Sequence, residues 1–279
     1  MEARLAKYTD FGVRRWRNAL LTVAMLAIAA LWIRHEQSEL RHASWLSGYL
    51  LLVCFAFLTA FRLRKRLIVL RLGSASKWMQ AHIYVGLGTI VLFAWHLPWR
   101  LPTGIFESIL AGLFVTTSAS GIAGLWLTRR VPRMLSGLPQ QVRYEHLASH
   151  RLALADEVAD VIVESAQETS VLADFYTEQL ATFFECPRSW NYRLFPSMDE
   201  RKAWLHRVAQ LDRYLKPTQR DWRRQVSEKI GLKDDLDFHQ AKQSQLKTWV
   251  IGHVAMTYSL WICVAFHVYL VVTAQGSQA

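Results

Sequence analysis

Blocks of apolar residues, separated by polar segments, fill the first half of the chain and return near its end. Five blocks approach or reach the roughly 17 to 25 apolar residues that cross a hydrocarbon layer about 30 Å thick. They are Ala19–Ile33, Trp45–Phe61, Met79–Leu97, Ile105–Leu127 and Trp249–Ala274. The pattern predicts an all-α integral membrane protein, a five-span helical bundle in which each helix satisfies its own backbone hydrogen bonds.

The first block follows a basic N-terminus and contains the small residues Ala27 and Ala29, as the end of a cleaved secretory signal does. Its apolar character continues beyond that candidate cleavage site through Trp32 and Ile33. We therefore expect the block to be a retained signal-anchor helix.

The region between the fourth and fifth blocks is charged, mixed in sign and poor in glycine. Apolar residues recur there at helical spacing over Arg143–Ala166, which predicts a long amphipathic helix. Further helices are expected over Val171–Phe184, Asp199–Leu215, Asp221–Ile230 and Asp235–Lys247, with a loop over Cys186–Ser197. The expected domains are spans one to four (1-127), a cytoplasmic α-helical insert (128-248), and the fifth span with a short outer tail (249-279).

Lysine and arginine concentrate on one predicted side of the membrane. They are frequent before the first block and over residues 62–77, whereas the loop after the first block holds only Arg34 and Arg41. Short loops rich in these residues stay cytoplasmic, so we expect a bacterial-type inner membrane protein with its N-terminus inside and its C-terminus outside. The net charge of +11 then reflects topology and contact with anionic membrane lipid, and nucleic acid is not an expected partner.

The three cysteines indicate no cofactor of their own. Cys54 and Cys263 lie within apolar blocks and Cys186 lies in the insert, so no paired spacing predicts a disulfide, a zinc site or an iron–sulfur cluster. Iron–sulfur chemistry would belong to a partner protein.

Four histidines lie in the third and fifth predicted spans. His82 and His96 are separated by 14 residues, and so are His253 and His267. Fourteen steps of about 100° return to within about 40° of the start, so each helix presents both imidazoles on one face, about 21 Å apart. The same spacing on two helices is the most specific feature of the sequence.

These histidines form two transverse pairs, because a single intervening span makes the third and fifth helices parallel. His82 is then level with His253 near the cytoplasm, and His96 is level with His267 near the outside. Two stacked haems with bis-imidazole ligation need this arrangement, so the four residues are predicted axial ligands of haem iron. Without iron, the same side chains would line a cavity or relay protons, as in a membrane anchor or a proton-conducting transporter.

At these residues the chain resembles the transmembrane di-haem cytochromes b, especially the haem domains of ferric reductases and NADPH oxidases. The resembling segments are His82–Gly88, Trp95-His96, Ser120–Gly124, Arg129–Pro132, His253-Val254 and Phe266–Val268. The resemblance covers the membrane part, under half of the chain. It implies two haem b groups held by the four histidines, and electron transfer across the bilayer.

The chain also departs from those reductases. They usually continue into a flavin and nicotinamide domain, whereas this sequence has no G-x-G-x-x-G motif after a strand. We therefore expect that it does not oxidise NAD(P)H by itself. The long insert is unlike the compact members, and we expect it to dock a redox partner.

Four cationic side chains are candidate partners of haem propionates. Lys77, Arg129 and Arg130 lie at the predicted cytoplasmic level, and Arg100 lies at the outer level. Membrane topology explains the same charges equally well.

The leading interpretation is a di-haem cytochrome b subunit that carries electrons across the membrane between a quinone pool and a partner redox protein. That partner would be an iron–sulfur, flavin or cytochrome c subunit. We expect an electron-transfer subunit of an oxidoreductase complex rather than a self-contained enzyme. The alternative interpretation is a haem-dependent ferric or other outer-face reductase that is fed from the cytoplasm.

Overall fold

The computed structural model describes residues 2–38, 43–66, 74–97, 102, 104–137, 146–197 and 199–276. Every regular element in these ranges is a helix, and no strand occurs in them. The all-α class expected from the apolar blocks is therefore confirmed.

Ten α-helices occur in the described ranges. The first four are α1 (Glu2–Ser38), α2 (Ala43–Arg66), α3 (Ala75–His96) and α4 (Ile105–Leu135). The others are α5 (Leu147–Ala166), α6 (Val171–Phe175), α7 (Ala181–Glu185), α8 (Trp190–Leu194), α9 (Asp199–Gln210) and α10 (Arg220–Gly276). A π-helical turn spans Tyr176–Leu180, and 3₁₀ turns span Leu211–Arg213 and Pro217–Gln219.

Four of these helices contain stretches long and apolar enough to cross a membrane. The stretches are Trp16–Ile33 in α1, Ala75–His96, Ile105–Leu135, and part of the helical region Pro217–Ala274. The second predicted span lies in α2, whose apolar stretch Trp45–Ala60 is shorter. The helices have the composition of a multi-pass membrane protein. The number of five spans, the type of membrane and the orientation of the chain in it remain predictions from the sequence.

The chain folds as two compact units, Met1–Leu125 with His253–Ala279, and Trp126–Gly252. In the first unit, α3 packs against both α2 and α1. Phe93 of α3 also stacks on Phe114 of α4, with ring centroids 3.9 Å apart. These contacts fix the helix that carries two of the four candidate histidines.

The second unit has its own hydrophobic core. Leu154, Val158 and Ile162 are buried at intervals of four residues along one face of α5, as an amphipathic helix requires. They share one cluster with residues of other helices, including Phe184 of α7 and Ile230 of α10. The predicted start of this first helix, Arg143, lies outside the described residues.

Two predictions for the second unit are wrong. The expected loop Cys186–Ser197 contains α8, because Ser189 caps it by accepting a hydrogen bond on Oγ from the backbone N–H of Tyr192. The helices expected over Asp221–Ile230 and Asp235–Lys247 are continuous with each other and with the predicted fifth span, as α10.

Gly231 lies at the expected break in α10 and does not end the helix. A Cβ atom at this position would lie 3.1 Å from Nη2 of Arg201. The glycine therefore leaves room for the Arg201 guanidinium, which pairs through Nη1 with Asp235 at 2.9 Å. A glycine inside a helix costs about 1 kcal/mol relative to alanine, which packing in the folded unit offsets.

A buried ionic cluster, Arg188, Lys233, Asp234 and Asp237, joins α10 to the segment before α8. Arg188 reaches Asp234 at 3.2 Å and Asp237 at 3.1 Å, and its third carboxylate partner is Glu200. Lys233 also pairs with Asp237, and its side chain is fully buried. Burial lowers the pKa of Lys233, an effect that Asp237 opposes. The cluster thus consists of charges that compensate one another away from water.

Candidate functional site

His96 and His267 lie opposite each other in the first unit. His96 is the last residue of α3, and His267 lies in the final part of α10, which ends at Gly276. Their ring centroids are 6.5 Å apart and their planes are inclined by 88°. Phe106 of α4 stacks on His267, with centroids 6.5 Å apart. Three helices therefore contribute rings to one small region.

The neighbouring helix α2 holds His96 from another side. The hydroxyl of Ser47, a residue only 1% exposed, lies 3.0 Å from Nδ1 of His96. A Cβ atom at Gly48 would lie 3.2 Å from Cε1 of the same ring, which is tighter than ordinary contact. Metal-ligating imidazoles commonly engage a neighbour through their second ring nitrogen, and the Ser47 contact fits that role for Nδ1.

His253 of α10 has matching surroundings on α4. The hydroxyl of Ser120 lies 3.3 Å from Nδ1 of His253. A Cβ atom at Gly121 would lie 3.7 Å from Cε1 of the ring. His82 of α3 lies near His253 and near the backbone of Leu58 on α2.

One histidine of each candidate pair therefore rests on a Ser-Gly dipeptide of a neighbouring helix. Ser47-Gly48 of α2 contacts His96, and Ser120-Gly121 of α4 contacts His253. Sequence reasoning missed Ser47-Gly48, although Ser120-Gly121 belongs to the resembling segments. The same Ser-Gly dipeptide occurs in two apolar blocks of the sequence. Its contact with a histidine could not be predicted, because that contact depends on which helices pack against each other.

The His96 and His267 rings have a spacing that suits two ligands of one metal. Two metal–nitrogen bonds of about 2 Å, with half the width of each ring added, separate two ligating imidazole centres by roughly 6 to 6.5 Å. The observed 6.5 Å lies within that range. Across the described residues, no group of three or more His, Cys, Asp and Glu side chains is arranged so that it could hold a metal ion. Paired imidazoles are the donor set that haem requires, since the porphyrin supplies the other iron ligands.

The predicted cationic partners lie at helix surfaces or outside the described residues. Lys77 is exposed in the first turn of α3, and Arg129 and Arg130 are exposed on α4. The Arg130 guanidinium lies 4.8 Å from the centroid of the Trp126 ring. Arg100 lies outside the described residues, so propionate binding by these four residues stays a prediction.

Comparison with known proteins assigns no family to the chain. No family model, no curated protein sequence and no solved structure matches it. The resemblance to the transmembrane di-haem cytochromes b therefore remains a hypothesis. It is based on the four histidines and the residues near them.

Proposed function

We propose that the chain is a di-haem cytochrome b subunit of a membrane oxidoreductase complex. It carries electrons between a quinone pool and a partner redox protein, with the 128–248 insert in the cytoplasm. The observation that supports this proposal most is the His96–His267 pair, whose 6.5 Å ring spacing suits two axial ligands of one iron. His82 and His253 supply the second candidate pair.

The position of the two pairs along the helices suits transfer across a bilayer. Fourteen residues separate the pairs on both α3 and α10. This spacing corresponds to about 21 Å along a helix, or roughly two thirds of a hydrocarbon layer about 30 Å thick. Each pair is thus close to one membrane surface, where a quinone or a partner protein has access.

The protein residues have separate tasks in this proposal. Haem, when bound, supplies a one-electron carrier whose potential depends on its ligands and their hydrogen bonds. The four histidines hold it, and Ser47 and Ser120 orient one imidazole of each pair through Nδ1.

Quinol reduction of the purified full chain in lipid vesicles tests this proposal. We expect a short-chain quinol to reduce the b-type chromophore, and ferricyanide trapped inside the vesicles to be reduced in turn. A folded, haem-containing chain that no quinol reduces would contradict the quinone role. Rapid reduction of an Fe(III) chelate by the dithionite-reduced chain, without response to quinol, would favour the outer-face reductase instead.

Substitution of Ser47 by alanine should raise the midpoint potential of one haem and leave both haems bound. A ligating His96 donates Nδ1–H to the Ser47 hydroxyl, which makes the imidazole a stronger donor and favours the oxidised iron. A net hydrogen bond contributes about 1 kcal/mol, equivalent to about 40 mV for a one-electron couple. A redox titration would measure the shift.

Thr116→Val is the matched control for Ser47→Ala. Thr116 also lies in an apolar helix, but its hydroxyl donates to the carbonyl of Gly112 in its own helix. We expect both potentials of this variant to equal those of the unmodified protein. Equal potentials in Ser47→Ala would show that the serine does not act through a ligand.

A further inference from the structure

Three large apolar side chains project from α8 and the residue after it. Trp190, Leu194 and Phe195 are 64%, 45% and 83% exposed. Tyr192 of the same helix is buried, and the Arg188 guanidinium lies 5.0 Å from the centroid of its ring. The helix is therefore held by one face, and the other three residues form an uncovered surface, which we call the α8 apolar face.

Gln245 of α10 fixes the position of the α8 apolar face along that helix. Its Nε2 donates to the carbonyl oxygens of Arg193 at 3.1 Å and Leu194 at 2.7 Å. Gln245 precedes Trp249, the start of the predicted fifth span, by four residues, or about 6 Å along a helix. The headgroup layer on each side of a bilayer is also about 5 to 7 Å thick. With the fifth span starting at Trp249 as predicted, Gln245 and the two carbonyl groups that it binds would lie at the depth of the lipid headgroups.

Cationic and aromatic side chains of the same unit lie near this level. Lys242 precedes Gln245 on α10, donates through Nζ to its Oε1 at 3.3 Å, and lies near Arg130. Arg130 also lies over the Trp126 ring at 4.8 Å. Arg193 adds a positive charge on α8 itself. Basic residues beside tryptophans are typical of a membrane interface that contains anionic lipid.

We propose that the α8 apolar face inserts into the membrane interface, where Arg193 and the neighbouring cations pair with anionic phospholipid headgroups. The inference rests on the placement of α10 as a span, which is part of the proposed function, but it does not depend on haem. Three side chains form too small a surface for a typical protein interface, which buries about 800 Å² per partner. Insertion into lipid needs no such area, because the transfer of each apolar side chain from water to lipid contributes its own favourable free energy.

Spin-label accessibility in the full chain tests the inference. Cys54, Cys186 and Cys263 are replaced by serine, and Phe195→Cys is labelled in nanodiscs that contain phosphatidylglycerol. We expect oxygen, which concentrates in lipid, to relax this label several-fold more than a water-soluble nickel chelate does. The control is Arg224→Cys, an exposed position 25 residues before Trp249 on α10, where the nickel chelate should dominate.

A third label separates failure of this inference from failure of the span assignment. Ile262 is 73% exposed and lies 13 residues beyond Trp249, so Ile262→Cys should face the lipid core. If oxygen relaxes the Ile262 label more strongly while the nickel chelate relaxes the Phe195 label more strongly, only the α8 proposal is overturned. If the nickel chelate dominates at both labels, the assignment of the fifth span is overturned as well. Shielding of Phe195 from both reagents would also overturn the proposal, because it would place protein over this face.

Charge reversal at Arg193 tests the headgroup contact. We expect Arg193→Glu to lower the oxygen preference of the Phe195 label in the anionic nanodiscs, since the new carboxylate is repelled by the headgroups. An unchanged preference would overturn the proposed pairing with anionic lipid.

Discussion

Substitution of His267 by alanine should lower the haem content from two per chain to one. Its ring lies 6.5 Å from that of His96, and a bis-imidazole site that loses one axial ligand loses half of its protein–iron bonds. A pyridine haemochrome assay, normalised to protein concentration, measures the change. His150→Ala is the control, because His150 is an exposed histidine of α5, and it should keep two haems.

Double variants extend this prediction to the assignment of pairs. His96→Ala with His267→Ala removes two ligands of the same site, so one haem should remain. His96→Ala with His253→Ala removes one ligand from each site, so both haems should be lost. Equal haem content in the two double variants would contradict the pairing.

Substitution of Asp237 by asparagine should destabilise the second unit strongly. Asp237 pairs with both Arg188 and Lys233, and the Lys233 side chain is fully buried. Removal of one partner from a buried ion pair costs about 3 to 5 kcal/mol, because the remaining charge loses its compensation away from water. The thermal midpoint of the full chain in detergent should fall by about 10 °C.

Glu228→Gln is the matched control for Asp237→Asn. Glu228 also lies on α10 and pairs with an arginine, Arg224, but both side chains are mostly exposed. An exposed pair of this kind contributes little, so the thermal midpoint should stay nearly unchanged. Equal midpoints for the two variants would show that the buried ionic cluster does not stabilise the unit.

Helical periodicity was sufficient to predict the candidate histidines. His82 and His96 share a face of one helix because 14 residues are close to four turns, and the same holds for His253 and His267. The all-α class followed from apolar blocks of the length that a bilayer requires. These properties are local to a helix, so the sequence carries them directly.

Contacts between helices could not be predicted in the same way. Ser47-Gly48 contacts the His96 ring only because α2 packs beside the end of α3 that carries His96. The predicted helices Asp221–Ile230 and Asp235–Lys247 left a gap that contains Gly231, whereas α10 continues through this glycine, which accommodates the Arg201 guanidinium. Both features depend on tertiary packing, which overrides local propensity.

Binding of two b-type haems by the chain is tested most directly by one optical spectrum. The measurement is a dithionite-reduced minus oxidised optical spectrum of the purified full chain, with a pyridine haemochrome count on the same sample. We predict the difference spectrum of b-type haem and two haems per chain. A folded, detergent-stable chain that contains no haem would contradict the claim.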